Sequence, residues 1–304
     1  MLRLGLLTCN PDSYSSRRLY EAALARGHRA RLYDTLRFSV LVSEARPELY
    51  YRDELLGRLD AAIPRIGVSV TTIGLAVVRQ LEQLGVFTTS PAHAIEACRD
   101  KLRCTQLLGA HGLPVPKTAF VRDREGILPA IERVGGAPVI IKLLEGAQGI
   151  GVMLADTTEA AEAIVQALQS ARQHVLIQRF VRESRGRDVR ALVVSGRVVA
   201  AMSRRAAGRE FRSNVHRGGR GERIELDDEF ERTAARAAAV LGLGVAGVDL
   251  LEGRDGPVVL EVNASPGLEG IEHTTGVDVA SAILEHVERG VAERRNSRPV
   301  PAAV

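Results

Sequence analysis

The chain has 304 residues, 45% of them hydrophobic and 26% charged, with a net charge of +4. This composition is typical of a soluble globular protein with about two domains. No apolar run approaches the ~20 residues of a transmembrane helix, which excludes a membrane-spanning protein. Aromatic residues make up only 4% of the chain, so it has no basic, aromatic surface for stacking nucleic-acid bases.

The first residues, MLRLGLLTCNPDSYSSRR, predict a β-strand and not a signal peptide, because they lack a long apolar segment and a small-residue cleavage site. The three cysteines are Cys9, Cys98 and Cys104. Their spacing fits no zinc site. We expect reduced cysteines in a cytoplasmic protein, with Cys98 and Cys104 serving as packing residues.

The first third of the sequence alternates strands and helices. Short apolar runs predict strands, and amphipathic segments that end at glycine predict helices. The third strand is expected to be cut short by Pro64, because proline lacks a backbone donor. This alternation predicts a small α/β domain with parallel strands. The predicted strands are residues 2–9, 28–34, 59–67 and 86–90, and the predicted helices are residues 15–27 and 71–85.

The pattern changes in the second part of the chain. Ser90-Pro91 predicts the start of one helix over residues 91–111. Beyond Leu113, strands joined by hairpins predict an α+β, mainly antiparallel region. Thr157 or Thr158 caps a helix there. The Pro- and Ala-rich end of the chain predicts a disordered tail. The predicted strands are residues 137–146, 152–156, 174–181, 188–206 and 245–263, and the further helix is residues 157–171.

Two carboxylates are predicted to face each other on the hairpin VDLLEGRDGPVVLEVN. Its GRDG turn places Asp249 opposite Glu261, and strand alternation places Asn263 on the same face as Glu261. Facing carboxylates repel unless a cation lies between them, and Mg²⁺ prefers oxygen ligands. We therefore predict a divalent metal site at these residues. The alternative is a solvated face balanced by arginines.

A glycine-rich segment, KLLEGAQGIGV, follows an apolar strand at Lys142. It matches neither a P-loop nor a dinucleotide-binding motif, because it leads into another strand. Its backbone N–H groups could cover phosphate oxygens, and the Lys142 ammonium could neutralise phosphate charge. The alternative is a plain glycine hairpin.

A third segment, SRRAAGREFRSNVHRGG, is dense in groups that bind anions. Arginine side chains match the geometry of phosphate and carboxylate groups, and the two final glycines allow close backbone approach. We favour a loop packed over a ligand; the alternative is a charged surface loop. The polar residues concerned are Arg204, Arg205, Arg212, Asn214 and His216.

These segments occur in a characteristic order: RDK at Lys101, VIIKLLEGAQGIGV, FRSNVHRGG, GVAGVDLL and EVNASPGLEGIE. With PRIG and VVRQLEQLG nearer the N-terminus, the set resembles the ATP-grasp fold and, within it, the RimK-type glutamate ligases. The resemblance spans residues 1–290. It implies an N-terminal α/β pre-ATP-grasp domain (1–95), a central subdomain with the glycine flap (96–182), a C-terminal subdomain with the metal hairpin (183–290), and a tail (291–304). ATP would lie between the two α+β subdomains.

The resemblance also implies residue roles. Lys101 and Lys142 would contact phosphates, and Arg179 would contact adenine through its backbone, although similar enzymes often have an acidic residue there. The implied nucleotide-binding residues are Lys101, Lys142, Gly149, Gly151, Arg179, Phe180, Asp188, Arg212, Ser213 and Asn214; the implied catalytic residues are Arg204, Arg212 and Asn214; and the implied ligands of two Mg²⁺ or Mn²⁺ ions are Asp249, Glu261 and Asn263.

The activity implied by the resemblance is an ATP-dependent carboxylate–amine ligation through an acyl phosphate. It would add L-glutamate to the carboxyl terminus of the sixth small-subunit ribosomal protein. The alternative within the family is an amino-acid ligase acting on a biosynthetic carrier protein or a coenzyme. A nucleotide-binding module without turnover is disfavoured because all three metal-ligand residues are present. We also expect a homo-oligomer without direct nucleic-acid contact.

Overall fold

The computed structural model describes residues 1–44, 47–144, 151–207 and 219–296. In these ranges the strands form one five-stranded, two four-stranded and one three-stranded sheet. None of the helices in the same ranges combines the length and the apolar character that a bilayer crossing requires. The coexistence of parallel and antiparallel sheets confirms the predicted mixture of α/β and α+β architecture.

A parallel sheet and a small antiparallel sheet form the N-terminal region. Its elements are β1 (Arg3–Thr8), α1 (Tyr14–Ala25), β2 (Arg29–Tyr33), β3 (Phe38–Leu41), β4 (Glu48–Tyr51), β5 (Glu54–Leu55), β6 (Ala61–Arg65), α2 (Thr71–Gln83) and β7 (Phe87–Thr88). The parallel sheet has the order β2-β1-β6-β7. Leu4 and Leu6 of β1 pack toward α1, whereas Leu7 packs toward α2, because alternate residues of a strand face opposite sides.

Pro64 does not end its strand, contrary to the prediction. β6 continues to Arg65, and Pro64 pairs with Leu7 of β1. On the other side of β6, the short β7 reaches only as far as Ala62. β6 therefore has no strand neighbour on that side at Pro64, where a missing backbone donor costs little.

The three-stranded sheet β3-β4-β5 was not predicted from the sequence. Its strands are four, four and two residues long, too short for a clear alternation. Tyr33 of β2, Phe38 of β3 and Tyr51 of β4 pack together with ring centroids 4.9 to 5.6 Å apart. This aromatic cluster attaches the small sheet to the edge of the parallel sheet.

The segment predicted as one helix over residues 91–111 is two helices, α3 (Ala92–Arg99) and α4 (Lys101–Ala110). Asp100 between them has extended backbone angles, and its carboxylate accepts a hydrogen bond from the Arg103 N–H at 3.0 Å. Asp100 thus acts as the N-cap of α4 and ends α3. The break places Lys101 at the start of a helix.

An antiparallel sheet with the order β10-β9-β11-β8 follows. The apolar faces of α5 and α6 cover it. Thr157 is the N-cap of α6 and accepts a hydrogen bond from Ala160 N. The central part of the predicted glycine flap, residues 145–150, lies outside the described residues. The elements are β8 (Thr118–Phe120), α5 (Ile127–Val134), β9 (Val139–Leu143), β10 (Val152–Ala155), α6 (Thr158–Ser170) and β11 (Val175–Arg179).

The last sheet has the order β14-β13-β12-β15-β16 and is antiparallel. Its elements are β12 (Arg187–Val194), β13 (Arg197–Arg205), β14 (Arg220–Arg223), α7 (Asp228–Val240), β15 (Val245–Gly253), β16 (Gly256–Asn263), α8 (Glu269–Thr275) and α9 (Val279–Asn296). Because α9 is helical to Asn296, the prediction of a disordered tail from residue 291 is wrong for residues 291–296. Residues 297–304 lie outside the described residues.

The predicted domain boundaries stay a prediction. Strands of the parallel sheet lie within residues 3–88, those of the next sheet within residues 118–179, and those of the last sheet within residues 187–263. Apolar contacts join the units, since α9 packs against α1 and the core of the parallel sheet.

Asp100 offers a test of the helix break. We expect D100A to lower the free energy of unfolding by about 1 kcal/mol, because the first turn of α4 loses its side-chain acceptor. D100N is the matched control, since asparagine caps helices about as well as aspartate. Chemical denaturation measures both. Equal stability of D100A and the unmutated protein would contradict the cap.

Candidate active site

The two predicted carboxylates face each other in the structure. Asp249 on β15 pairs with Glu261 on β16, and Gly247 pairs with Asn263. Two residues paired directly across antiparallel strands lie on the same face of the sheet. The hairpin therefore brings Asp249, Glu261 and Asn263 together, as the GRDG turn predicted.

A β-bulge at Leu260 determines where these side chains point. Asp249 pairs with Glu261 and the next residue, Leu250, pairs with Val259, so Leu260 is the extra residue. Val259 and Val262 are both buried although three positions apart. Without the bulge, alternation would turn Glu261 toward the core. The bulge instead re-aims Glu261 and Asn263 away from the core, a common use of bulges beside active sites.

Asp249 is held by arginines from two neighbouring strands. Arg190 Nε and Nη2 each donate to an Asp249 carboxylate oxygen at 2.7 Å. Arg204 Nη2 lies 3.0 Å from Asp249 Oδ2, and Arg204 also makes two 2.6 Å hydrogen bonds to Asp188. Burial alone would raise the pKa of Asp249, but Arg190 and Arg204 lower it to about 2. Asp249 is therefore fully ionised at neutral pH.

Glu261 has a different environment. Its side chain is exposed to solvent, and no hydrogen bond or ion pair joins its carboxylate to another residue of the described ranges. The surrounding protein partly desolvates the Glu261 carboxylate, which raises its pKa, and the negative charge of Asp249 adds to the rise. The positive charge of Lys142 opposes it. Glu261 is the carboxylate of the pair that has the most to gain from a cation.

Two lysines complete the cluster. Lys142 near the end of β9 has a pKa lowered to about 8 by burial and by Lys101, although Glu261 and Asp249 oppose the shift. Lys101 Nζ donates to the Leu144 carbonyl at 2.8 Å, which connects the start of α4 to the end of β9. The cluster thus combines two ammonium groups with the carboxylates of the hairpin.

The oxygen donors fit a divalent cation. Asn263 adds an amide oxygen next to Glu261 on the same strand face, and Asp249 lies opposite. No group of three Asp, Glu, His or Cys side chains suited to a metal occurs in the described ranges. A metal bound at this hairpin would therefore need the Asn263 amide oxygen as its third protein ligand. Mg²⁺ is commonly held by one or two carboxylates, with waters and substrate phosphates completing its coordination.

Family models match nearly the whole chain: the model of the RimK-like ATP-grasp domain matches residues 98–287, and that of the RimK PreATP-grasp domain matches residues 2–95. The chain belongs to the RimK-like ATP-grasp family. The resemblance inferred from the sequence is confirmed, and the chain is an ATP-grasp ligase.

Similar proteins carry a consistent name. A probable alpha-L-glutamate ligase of Rhodopirellula baltica is 56% identical over 290 residues, covering 95% of this chain and 72% of that protein. Probable alpha-L-glutamate ligases of Syntrophotalea carbinolica and Chromohalobacter salexigens are 49% and 47% identical, covering 95% and 99% of this chain and 96% and 99% of those proteins.

Two solved structures of ATP-grasp proteins share the fold. The ATP-grasp ligase PsnB, complexed with a minimal precursor, is 25% identical with a TM-score of 0.75, covering 95% of this chain and 99% of PsnB. A RimK domain protein of Sphaerobacter thermophilus is 26% identical with a TM-score of 0.71, covering 93% of this chain and 98% of that protein.

The remaining RimK-like positions fall into three groups. Arg179 is the exposed last residue of β11 and Phe180 follows it, and their nucleotide contact stays a prediction. Gly151 has a φ of 75°, and a Cβ there would lie 2.6 Å from Leu143; glycine is therefore required at the end of the predicted flap. The predicted site residues outside the described ranges are Gly149, Arg212, Ser213 and Asn214.

Arg204 and Asp188, which were expected to act on the substrate and the nucleotide, are buried and bonded to each other. Arg204 is buried and hydrogen-bonded to Asp188, which is itself buried, whereas Arg205 is exposed. In the structure, Arg204 links Asp188 to Asp249 and so helps to hold the Asp249 carboxylate. The predicted catalytic role of Arg204 and the predicted nucleotide contact of Asp188 stay predictions.

Arg190 was missed by the sequence reasoning. It lies on β12 opposite Asp249, and the two residues are 59 positions apart in the chain. The available signal was a charged residue two positions after Asp188 in the otherwise apolar strand DVRALVV. Recognising its partner requires the order of the strands in this RimK-like sheet.

The arginine–carboxylate network can be tested with adjacent residues of β13. We expect R204Q to lower the free energy of unfolding by about 3 kcal/mol, because it leaves Asp188 buried without its cation. The control R205Q, at the exposed neighbour, should change stability by less than about 0.5 kcal/mol. Denaturant unfolding without nucleotide measures both. A similar loss for the two variants would contradict a specific role for Arg204.

Proposed function

We propose that this ATP-grasp ligase adds L-glutamate to the carboxyl terminus of a protein acceptor, and that the acceptor is the sixth small-subunit ribosomal protein. The observation that carries the ligase chemistry is the opposition of Asp249 and Glu261 beside Lys142. The choice of glutamate is supported by relatives that are 47–56% identical and named probable alpha-L-glutamate ligases. The ribosomal acceptor follows from the family resemblance of motifs such as EVNASPGLEGIE.

In the first step, a carboxylate oxygen of the acceptor attacks the γ-phosphorus of ATP, and the bond to the ADP oxygen breaks. Such phosphoryl transfers are accelerated mainly by positioning and by electrostatic stabilisation. Lys101 and Lys142 supply positive charge on one side of the cluster. Their ammonium groups would bind phosphate oxygens and offset the negative charge of the transferred group.

Asp249, Glu261 and Asn263 would hold Mg²⁺, which offsets phosphate charge when bound. The hydrogen bonds from Arg190 and Arg204 fix the Asp249 carboxylate in one orientation and keep it ionised. Glu261 receives no such hydrogen bond from the described residues, so its carboxylate could adjust to the ligand. The two carboxylates of the hairpin would therefore differ in role, one rigid and one adaptable.

In the second step, the glutamate amine attacks the acyl carbon, phosphate leaves, and the nitrogen loses a proton to give an amide. The acyl phosphate would hydrolyse if water reached it, so the site must close during turnover. The segment between β9 and β10 is the flap that we propose for this role. Gly151 at its C-terminal end has the left-handed backbone that a tight turn requires.

A second candidate is a ligase of the same chemistry that modifies a different peptide or protein. It is supported by the ATP-grasp ligase PsnB, whose structure contains a minimal precursor and which covers 95% of this chain at 25% identity. This candidate keeps the same metal and phosphate residues and changes only the acceptor. A coenzyme acceptor remains the third outcome of the experiment below.

Mass spectrometry tests the reaction and the acceptor together. The purified protein is incubated with ATP, Mg²⁺ and L-glutamate, and with the ribosomal protein, a carrier protein or a coenzyme. We expect whole glutamyl additions to the ribosomal protein and equimolar ADP. Glutamyl addition only to another acceptor would reject the ribosomal assignment, and ATP turnover without any amide product would reject the ligase reaction.

A substitution at Glu261 tests whether the facing carboxylates beside Lys142 are needed for the reaction. We expect E261Q to lower the rate of amide formation by about 10²-fold or more, because it removes charge at the metal and phosphate site. The control E252Q removes a glutamate of the same hairpin that is half-exposed and pairs with Arg187 at 3.3 Å. It should keep normal activity. Unchanged turnover in E261Q would contradict the proposed site.

A further inference from the structure

Two arginines that form no ion pair with any described residue lie beside the hairpin of β15 and β16. Arg65 is the last residue of β6 and Arg99 is the last residue of α3. Both are half-buried. In the described part of the chain, neither guanidinium forms an ion pair within 4.0 Å, whereas Arg190 and Arg204 nearby are paired with aspartates.

The hydrogen bonds of the two guanidinium groups are incomplete. Arg65 Nη1 donates to the Pro266 carbonyl at 2.7 Å, and Arg99 Nη2 donates to the Ile66 carbonyl. Arg99 Nε is buried and has no hydrogen-bond partner among the residues that the structure describes. An unsatisfied donor on a buried cation costs free energy, so such a group in a native protein calls for a partner, and a bound anion is one that would satisfy it.

The electrostatics of the pair also favour an anion. Burial and the positive charge of Arg99 lower the pKa of Arg65 to about 10. Burial lowers the pKa of Arg99 as well, although Cys98 and Glu261 oppose the shift. Two cations close together and partly removed from water repel each other unless an anion binds between them.

The position of the pair connects it to the reaction. Arg65 lies at the carboxyl end of the parallel strands, where open α/β sheets bind ligands. Arg65 contacts Pro266, and Ser265 Oγ donates to the Pro64 carbonyl at 3.4 Å, so the loop that follows the metal strand packs against this end. Cys98 Sγ donates to the Val262 carbonyl at 2.9 Å, which holds α3 against β16 itself.

We propose that Arg65 and Arg99 bind a substrate carboxylate that is not phosphorylated in the reaction. The proposal rests on the glutamate ligase function. Arginine forks match the two oxygens of a carboxylate. Two substrates carry such a group: free glutamate, whose α-carboxylate is joined to the carbon that bears the attacking amine, and an acceptor that ends in an acidic residue. Either anchor would orient the reacting atoms beside Glu261.

Steady-state kinetics of R99Q and R65Q distinguish the two sources. We expect the KM for one carboxylate substrate to rise by about tenfold or more, because a charge-assisted hydrogen bond is lost, and the KM for ATP to stay within about twofold. A rise for L-glutamate identifies the free amino acid, and a rise for the acceptor identifies the acceptor. R99K should restore part of the loss. An increase confined to ATP would overturn the proposal.

Substrate analogues separate direct contact from a structural effect. The unmutated protein should prefer the carboxylate substrate over its amide by about tenfold or more, and R99Q should lose that preference. R79Q is the matched control, since Arg79 is an exposed arginine paired with Glu96 at 2.9 Å. It should behave as the unmutated protein. Retained preference in a folded R99Q would contradict binding by Arg99.

A binding measurement keeps this inference separate from the proposed function. L-glutamate is titrated by calorimetry into the protein loaded with Mg²⁺ and a non-hydrolysable ATP analogue, and a peptide of the acceptor carboxyl terminus is titrated in parallel. Weaker binding of either probe to R99Q supports the inference even if no ribosomal protein is modified. Equal binding of both probes to R99Q and R79Q would reject it, even if glutamate is transferred.

Discussion

The site depends on the pairing of two carboxylates across one hairpin. Asp249 and Glu261 face each other on adjacent strands, and like charges in that arrangement are destabilising unless cations lie nearby. The protein supplies these cations unequally. Arg190 and Arg204 lie within hydrogen-bonding distance of Asp249. Among the described residues, the cations near Glu261 are more distant lysines and an arginine, which oppose the rise of its pKa.

The unequal supply of cations to Asp249 and Glu261 determines which charges of the site are neutralised. Asp188, Arg204, Asp249 and Arg190 form a chain of two negative and two positive groups, so the part of the network that is most buried is neutral. Removing two charges from water is expensive, and a fully hydrogen-bonded network reduces that cost. The negative charge of Glu261 is not neutralised within this network. We propose that Lys101 and Lys142 bind phosphate on one side, and that Arg65 and Arg99 bind a carboxylate near the pre-ATP-grasp sheet.

The sequence predicted the parts of the site that depend on local patterns. The GRDG turn gave the register of Asp249 and Glu261, and Thr157 was recognised as one of two possible caps. Features that depend on neighbours distant in the chain were not predicted. Arg190 meets Asp249 only because β12 lies beside β15, and Arg99 lies near Arg65 only because α3 packs at the end of β6, where Arg99 donates to the Ile66 carbonyl. The break at Asp100 and the bulge at Leu260 were also missed, because each is a single-residue departure from a regular pattern.

The most direct test is a crystal structure of the protein with Mn²⁺ and a non-hydrolysable ATP analogue, using the anomalous signal of manganese to locate the metal. We expect a manganese peak within coordination distance of the Asp249, Glu261 and Asn263 oxygens, with the Lys142 ammonium against a phosphate. A metal bound elsewhere, or a nucleotide whose phosphates lie away from this hairpin, would contradict it.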